Sequence, residues 1–321
     1  MNGSDDVIEV RDLTKRYGGV VAVDHISFSV ARGEIFGLLG PNGAGKTTTI
    51  LMMIGLTDRN GGSISIMGHD PAREPLKVKR VVGYLPDTIG FYDNMTAREN
   101  LRYTAALMGI KAADRDQKIA TALERAGLSD VAEKRVGTFS RGMRQRLGLA
   151  EILMKDVAIA VLDEPTSGLD PQATEEFLES IRSLKRDGVA VLLSSHLLER
   201  VQSVCDRVAL FNCGRIALIG NVPELATQVL GGGYHVEVEA DGQELAATLA
   251  AVPGVRAVEQ LGADRFRLLS EGDVRSKAAA AVVNKGGDLR RLSFEEPSLG
   301  AIYSRYFQNQ GDQSGGGKVH S

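Results

Sequence analysis

Residues Gly40 to Thr48 read GPNGAGKTT, and no other stretch constrains the fold of this chain as tightly. The pattern G-x-x-x-x-G-K-[ST] is met by Gly40, Gly45, Lys46 and Thr47, with Gly43 adding a further residue without a Cβ. Successive backbone N–H groups can wrap a phosphate chain only where no side chain blocks the approach, which calls for glycine. In this pattern the lysine reaches the β- and γ-phosphates and the hydroxyl after it is placed for Mg²⁺. Before the loop, Glu34 to Leu39 (EIFGLL) suits a buried strand; after it, Thr48 to Ile54 (TTILMMI) suits the start of a helix. A strand, a glycine loop and a helix N-terminus in that order predict an α/β domain that binds a nucleoside triphosphate.

The rest of the composition narrows the class. The 321 residues suffice for one large or two ordinary domains, and 43% hydrophobic with 25% charged residues is a globular balance. No apolar run approaches the roughly 18 residues that cross a bilayer. MNGSDDVIEV at the start has neither a basic nor an apolar leader region, and Cys205 and Cys213 suit a reducing compartment as ordinary thiols. A net charge of −3 offers no general case for nucleic acid. These features together predict a cytoplasmic protein.

Along the chain, Val7–Val10 and Ser27–Val30 alternate as strands do, and Ser63–Met67 follows the Gly61-Gly62 turn as another. A helical block occupies about 92–155: Thr96 and Glu99 form a capping box, and Leu101, Ala105, Met108, Ile119, Leu123 and Ala126 recur at helical spacing. Strand and helix then alternate to 220, with Asp170-Pro171 as an N-cap and N1 pair. The triple glycine at 231–233 marks a change. After it the pattern predicts strand 234–239, helix 243–251, strands 255–260 and 264–269, helix 273–285, strand 288–293 and a last helix 298–307. That β-α-β-β-α-β order is the split, ferredoxin-like arrangement. From Gly311 the tail lacks apolar periodicity and reads as disordered.

Four further stretches carry chemistry. Ala158 to Thr166 (AIAVLDEPT) is an apolar strand ending in two carboxylates: Asp163, placed for Mg²⁺, and Glu164, placed to polarise an attacking water. Val191 to His196 (VLLSSH) ends a second apolar strand, with His196 available to the γ-phosphate. Phe139 to Arg146 (FSRGMRQR) opens a helix whose tip, Ser140 and Gly142, can recognise phosphate or simply cap the helix. Tyr17 is available to stack on an adenine ring.

Taken in order, Tyr17, GPNGAGKTT, GYLPD, FSRGMRQRL, LDEPTSGLD and SSH resemble the nucleotide-binding subunit of an ATP-binding cassette (ABC) transporter over residues 7–220. The resemblance implies a P-loop NTPase core of ABC type with a β subdomain and a helical insertion, and a small α+β C-terminal domain. The expected division is 1–228 for the ATP-binding domain, 229–310 for an accessory or dimerising domain and 311–321 for the tail. ATP is then expected on Tyr17, Gly40, Asn42, Gly43, Ala44, Gly45, Lys46, Thr47 and Thr48. Mg²⁺ is expected on Thr47, Asp163 and Asp87, and catalysis from Lys46, Glu164 and His196. One copy of each motif implies a head-to-tail homodimer in which Ser140, Gly142 and Met143 act on the partner's ATP.

Two departures stand out. Phe139, Arg141 and Met143 replace the Leu, first Gly and Gln of the commonest signature, a variant that resembles single-domain exporter ATPases of the ABC-2 class. Asp87 stands where glutamine is usual. The segment Asp87–Met95 is expected to meet a separate multi-span permease, which would hold the subunit on the inner face of the cell membrane. The C-terminal piece reads as a dimer-stabilising cap or a sensor; its His235 lacks companion ligands. The leading expectation is the ATPase of a two-component exporter. The rivals are a soluble ABC ATPase acting on DNA or ribosomes, disfavoured by the single cassette, and an importer ATPase, disfavoured by the C-terminal order.

Overall fold

The computed structural model describes residues 5–230, 234–295 and 298–314. The chain divides into two compact units, the first ending at Ile219 and the second beginning at Gly220. The first unit runs β1 Asp6–Tyr17, β2 Val20–Ala31, β3 Ile35–Leu39, α1 Lys46–Met53, β4 Gly61–Ile66, α2 Pro75–Val81, β5 Val82–Leu85 and α3 Ala97–Leu107. It continues α4 Ala112–Arg125, α5 Arg141–Met154, β6 Ile159–Asp163, α6 Pro171–Arg186, β7 Ala190–Ser195, α7 Leu198–Gln202, β8 Arg207–Asn212 and β9 Arg215–Gly220.

β3, β6 and β7 are buried at every position, as strands covered on both faces must be. They lie in a six-stranded sheet of order β5-β6-β7-β3-β8-β9, in which β5, β6, β7, β3 and β8 pair in parallel. β8 and β9 are joined by Cys213-Gly214, both with positive φ, the two-residue turn that suits a hairpin. A second sheet of order β2-β1-β4 is antiparallel and alternates buried with exposed residues. One core joins the two sheets, with the Phe28 and Phe36 rings stacked at 5.3 Å between them. Helices α3, α4 and α5 enclose a separate core of Leu101, Ile119, Leu123, Leu147 and their neighbours. This is the helical block expected over about 92–155, and its Thr96–Glu99 capping box is formed at 3.1 and 2.7 Å.

The second unit contains α8 Val222–Leu230, β10 Tyr234–Asp241, α9 Leu245–Ala250, β11 Val255–Gln260, β12 Arg265–Ser270, α10 Arg275–Asn284, β13 Asp288–Glu295 and α11 Leu299–Ser314. Its sheet order is β11-β12-β10-β13 with every pair antiparallel, the order a split β-α-β-β-α-β chain produces. The expected boundary at 228/229 is corrected: the division falls at 219/220, because α8 packs against α11. The expected change at Gly231–Gly233 lies outside the described residues. α11 continues to Ser314, past the expected start of the tail at 311, and 315–321 lie outside the described residues.

The loop before α3 is held by one buried side chain. Asn100 accepts from the Tyr92 N–H at 2.9 Å and donates to the carbonyls of Tyr92 at 3.1 Å and Thr96 at 2.9 Å. Removing a buried partner costs about 1–3 kcal/mol for each polar group left unpaired. Asn100→Ala is expected to lower the urea midpoint of the first unit, with Asn100→Asp intermediate because it keeps the acceptor. Equal midpoints for the wild type and the alanine variant would contradict this account of the loop.

Candidate functional site

Parallel register brings three sequence motifs to one sheet edge. Leu39 lies opposite Ser195 and Asp163 opposite Ser194, so the residues that follow, Gly40, His196 and Glu164, emerge side by side at the carboxyl ends of β3, β7 and β6. The Gly40 N–H donates to the Ser195 carbonyl at 3.1 Å, fastening the start of the loop to β7. Open parallel sheets bind ligands at this edge.

The phosphate loop is shaped by what surrounds it. At Gly40, with φ 152°, a Cβ would stand 2.3 Å from the Phe211 carbonyl oxygen; at Gly45, with φ 104°, it would stand 2.5 Å from that of Ala22. Glycine is therefore required at both positions for space as well as conformation. The β8–β9 turn braces the other side, with the Gly214 N–H donating to the Ala44 carbonyl at 3.0 Å. The first bond of α1 that leaves the loop runs from the Thr49 N–H to the Gly45 carbonyl at 3.0 Å. The N–H groups of Lys46, Thr47 and Thr48 thus sit in the unpaired first turn of a helix, the end suited to an anion. Asn42 and Gly43 are exposed at the loop's rim.

Lys46 is only 5% exposed. Its Nζ donates to the carbonyls of Gly40 at 2.7 Å and Pro41 at 3.2 Å and lies 3.2 Å from Glu164 Oε1. Glu164 Oε2 accepts from the His196 backbone N–H at 3.2 Å and meets His196 Nδ1 at 2.7 Å. A carboxylate only accepts, so the imidazole carries its proton on Nδ1. Lysine, glutamate and histidine form one chain of charge-assisted bonds across the mouth of the loop.

Beside that chain, Asp163 Oδ1 accepts from the Thr47 hydroxyl at 3.2 Å and from the Ser194 hydroxyl. Ser194 Oγ in turn accepts from the Glu164 N–H at 3.0 Å, which supports Glu164 at φ 50°. Burial pushes the Asp163 carboxyl above the usual carboxylate range; the two hydroxyls pull it back, and the charges of Glu164 and Asp87 push it up. The donor set of one hydroxyl and one carboxylate is all hard oxygen, which fits Mg²⁺.

The structure thus brings Lys46, Thr47, Asp163, Glu164 and His196 together. Asp87 lies close enough for its charge to act on Asp163, and its carboxylate accepts from Arg141 at 2.8 Å. Tyr17, at the end of β1, is 49% exposed, with Lys15 Nζ 4.7 Å from its ring centroid. Ser140 caps α5 by accepting from the Met143 N–H at 3.3 Å, and Gly142 packs toward Ala173, so their described contacts are with the helices and not with the phosphate loop. Two residues escaped the motif reading. Ser194 was visible only as a polar residue ending an apolar strand, and Arg141 only as a departure from the signature.

A glycine loop before a helix N-terminus, a hydroxyl beside one carboxylate and a second carboxylate bonded to lysine and histidine fit a nucleotide-hydrolysing site of the phosphate-loop class. Comparison with known proteins is more specific. The family model for ABC transporter proteins matches residues 23–167. The chain is 34% identical over 303 residues to the linearmycin resistance ATP-binding protein LnrL of Bacillus subtilis (strain 168), covering 92% of this chain and 97% of that protein. It is 40% identical over 211 residues to the bacitracin transport ATP-binding protein BcrA of Bacillus licheniformis, covering 65% of this chain and 68% of that protein. A solved ATP-binding subunit of an ABC transporter superposes with a TM-score of 0.63 at 32% identity, over 69% of this chain and 92% of that one. The chain belongs to the ABC transporter family, as an ATP-binding and ATP-hydrolysing subunit. Among the described residues no helix is long and apolar enough to cross a membrane.

The raised Asp163 carboxyl sets a pH dependence. An acid titrating higher when folded binds protons more readily in the folded state, so its ionisation weakens the fold as pH rises through the elevated value. Without nucleotide or metal, Asp163→Asn is expected to raise the thermal midpoint near neutral pH. The gain should shrink as pH falls through that value toward the usual carboxylate range. A less stable D163N at neutral pH would contradict the burial argument.

Proposed function

We propose that this chain powers a two-component exporter by binding ATP between two copies of itself arranged head to tail. The observation that carries the reading is the Lys46–Glu164–His196 chain beside the Thr47–Asp163 pair. These are the residue types that in-line attack of water on a γ-phosphate needs, and their proximity supports the reading. Lys46 exchanges its carbonyl and carboxylate partners for β- and γ-phosphate oxygens. Glu164, released from Lys46, accepts a proton from the attacking water. His196 donates from Nδ1 to Glu164 and, in its cationic form, from Nε2 to a γ-phosphate oxygen. Thr47 and Asp163 would hold Mg²⁺, which supplies charge neutralisation on the phosphates when bound. Tyr17 offers an exposed ring to the adenine.

Ser140 caps α5, which leaves the Ser140–Gly142 tip at the N-terminus of a helix, the end suited to an anion, and this supports its use on a partner's ATP. A closed twofold dimer then completes two equal sites. The permease is assigned to Asp87–Met95, a segment pinned by Asn100 and carrying the exposed Tyr92, whose ring meets that of the exposed Tyr103. Through that partner the subunit would sit on the inner face of the membrane. Relatives named for linearmycin resistance and bacitracin transport support the direction of transport.

Glu164→Gln is expected to lower kcat by about 10²-fold or more, the usual contribution of a general base, while leaving ATP bound. Light scattering should then show an ATP-dependent dimer, and gentle solubilisation should recover a multi-span protein with it. An E164Q chain that stays monomeric with ATP would sink the head-to-tail reading; recovery with ribosomes or nucleic acid would sink the exporter reading. Lys46→Ala is expected to abolish ATP binding and turnover, and turnover retained in K46A would place the active site elsewhere.

A further inference from the structure

Asp87 and Arg141 are 54 residues apart in sequence, yet their side chains meet at 2.8 Å. Arg141 is the first residue of α5 and lies between Ser140 and Gly142, the two tip residues. Asp87 lies two residues past β5, at the start of the segment assigned to the permease. The same guanidinium packs against the loop that follows Glu164: at Gly168, with φ 69°, a Cβ would stand 3.0 Å from Arg141 Nε. A second pair ties the same two segments, Arg144 with Asp93 at 2.7 Å. Between them, Asp87, Thr88, Ile89, Arg141, Arg144 and Gln145 line a small cavity of about 210 Å³. Three segments therefore converge on Arg141: the one after β5, the tip of α5 and the loop after β6.

We propose that Asp87 is a positioning residue that acts through Arg141, holding the Ser140–Gly142 tip in register with the segment after β5, and is not a ligand of the metal. The pair's two ends are each about half exposed, and a pair in such a setting contributes little to stability. Its consequence is geometric. Arg141 has several rotatable bonds, and the N-terminal turn of α5 depends on where its guanidinium is held. With Asp87 in place, a displacement of Asp87–Met95 is passed to the tip by two ion pairs. Without it, the tip keeps its Ser140 cap, and only Arg144 and Gln145, farther along α5, still tie the helix to that segment. Arginine in the signature and aspartate in place of glutamine then become two halves of one device, which accounts for both departures together.

This inference rests on the head-to-tail reading, and the experiment separates the two. The E164Q chain with ATP first reports whether a nucleotide-dependent dimer forms; if it does not, the head-to-tail reading fails on its own. In the chain with Glu164 intact, Asp87→Asn, Arg141→Gln and the exchange D87R/R141D are compared for kcat, KM for ATP and half-saturating Mg²⁺, with thermal midpoints as a control on folding. Each single variant is expected to lower kcat about three- to five-fold, the scale of a half-exposed pair, with half-saturating Mg²⁺ unchanged. The exchange should recover kcat to within about two-fold, as coupled neighbours do. A D87N that raises half-saturating Mg²⁺ while R141Q does not would return Asp87 to the metal and overturn the proposal. An exchange no better than the single variants, or singles without effect, would overturn it as well.

Discussion

The site depends on keeping a lysine and a glutamate charged at a sheet edge where both are largely buried. Lys46 is 5% exposed and the Glu164 side chain 13%. Taking such charges from water is costly unless nearly every donor and acceptor is matched. Here two loop carbonyls hold the ammonium, and the carboxylate is shared between Lys46 and both the backbone and the ring of His196. In the proposed function, a γ-phosphate would bring the same kind of oxygen ligand to Lys46 and free Glu164 for water. The contacts that hold the loop are thus the ones a substrate would replace.

That exchange needs precise backbone placement, and the parallel sheet provides it. Gly40, Glu164 and His196 come from three motifs more than 150 residues apart at their extremes, and only strand register puts them side by side. Ser194 ties the register to the chemistry: its hydroxyl donates to Asp163 and accepts from the backbone of Glu164. The helical block is built on another principle, a core of its own with Ser140 at one tip. Its α5 packs closely on β5 at Gly83 and Gly148, and nearer the tip the pairs Arg141–Asp87 and Arg144–Asp93 add to that contact.

Local patterns made the core of the site legible in the sequence. Gly40, Gly45, Lys46 and Thr47 are diagnostic because their backbone requirement is contained within eight residues. Asp163, Glu164 and His196 were legible because apolar strands end abruptly in them. Contacts set by register or tertiary approach were not. Nothing near Ser194 points to Asp163, and nothing near Asp87 points to Arg141. The metal role first expected of Asp87 came from its place in the motif order, whereas its observed partner lies on another subdomain. The domain boundary was misplaced for a similar reason. The glycines at 231–233 mark a change of composition, but α8 lies before them and packs with the second unit. The alternation of strands and helices beyond Tyr234 was read within a few residues, because each element there has a clear apolar face.

In the head-to-tail reading proposed above, one copy's phosphate loop and another copy's Ser140 tip build a single ATPase site. Mixing two variants tests it directly: Lys46→Ala, with a dead loop and a sound tip, and Ser140→Arg, with a sound loop and a blocked tip. Each alone should be inactive. Mixed, they should form a heterodimer in which the sound loop faces the sound tip, and ATP turnover should appear. No turnover from a mixture shown to contain the heterodimer would contradict the account, since loop and tip would then have to act within one chain.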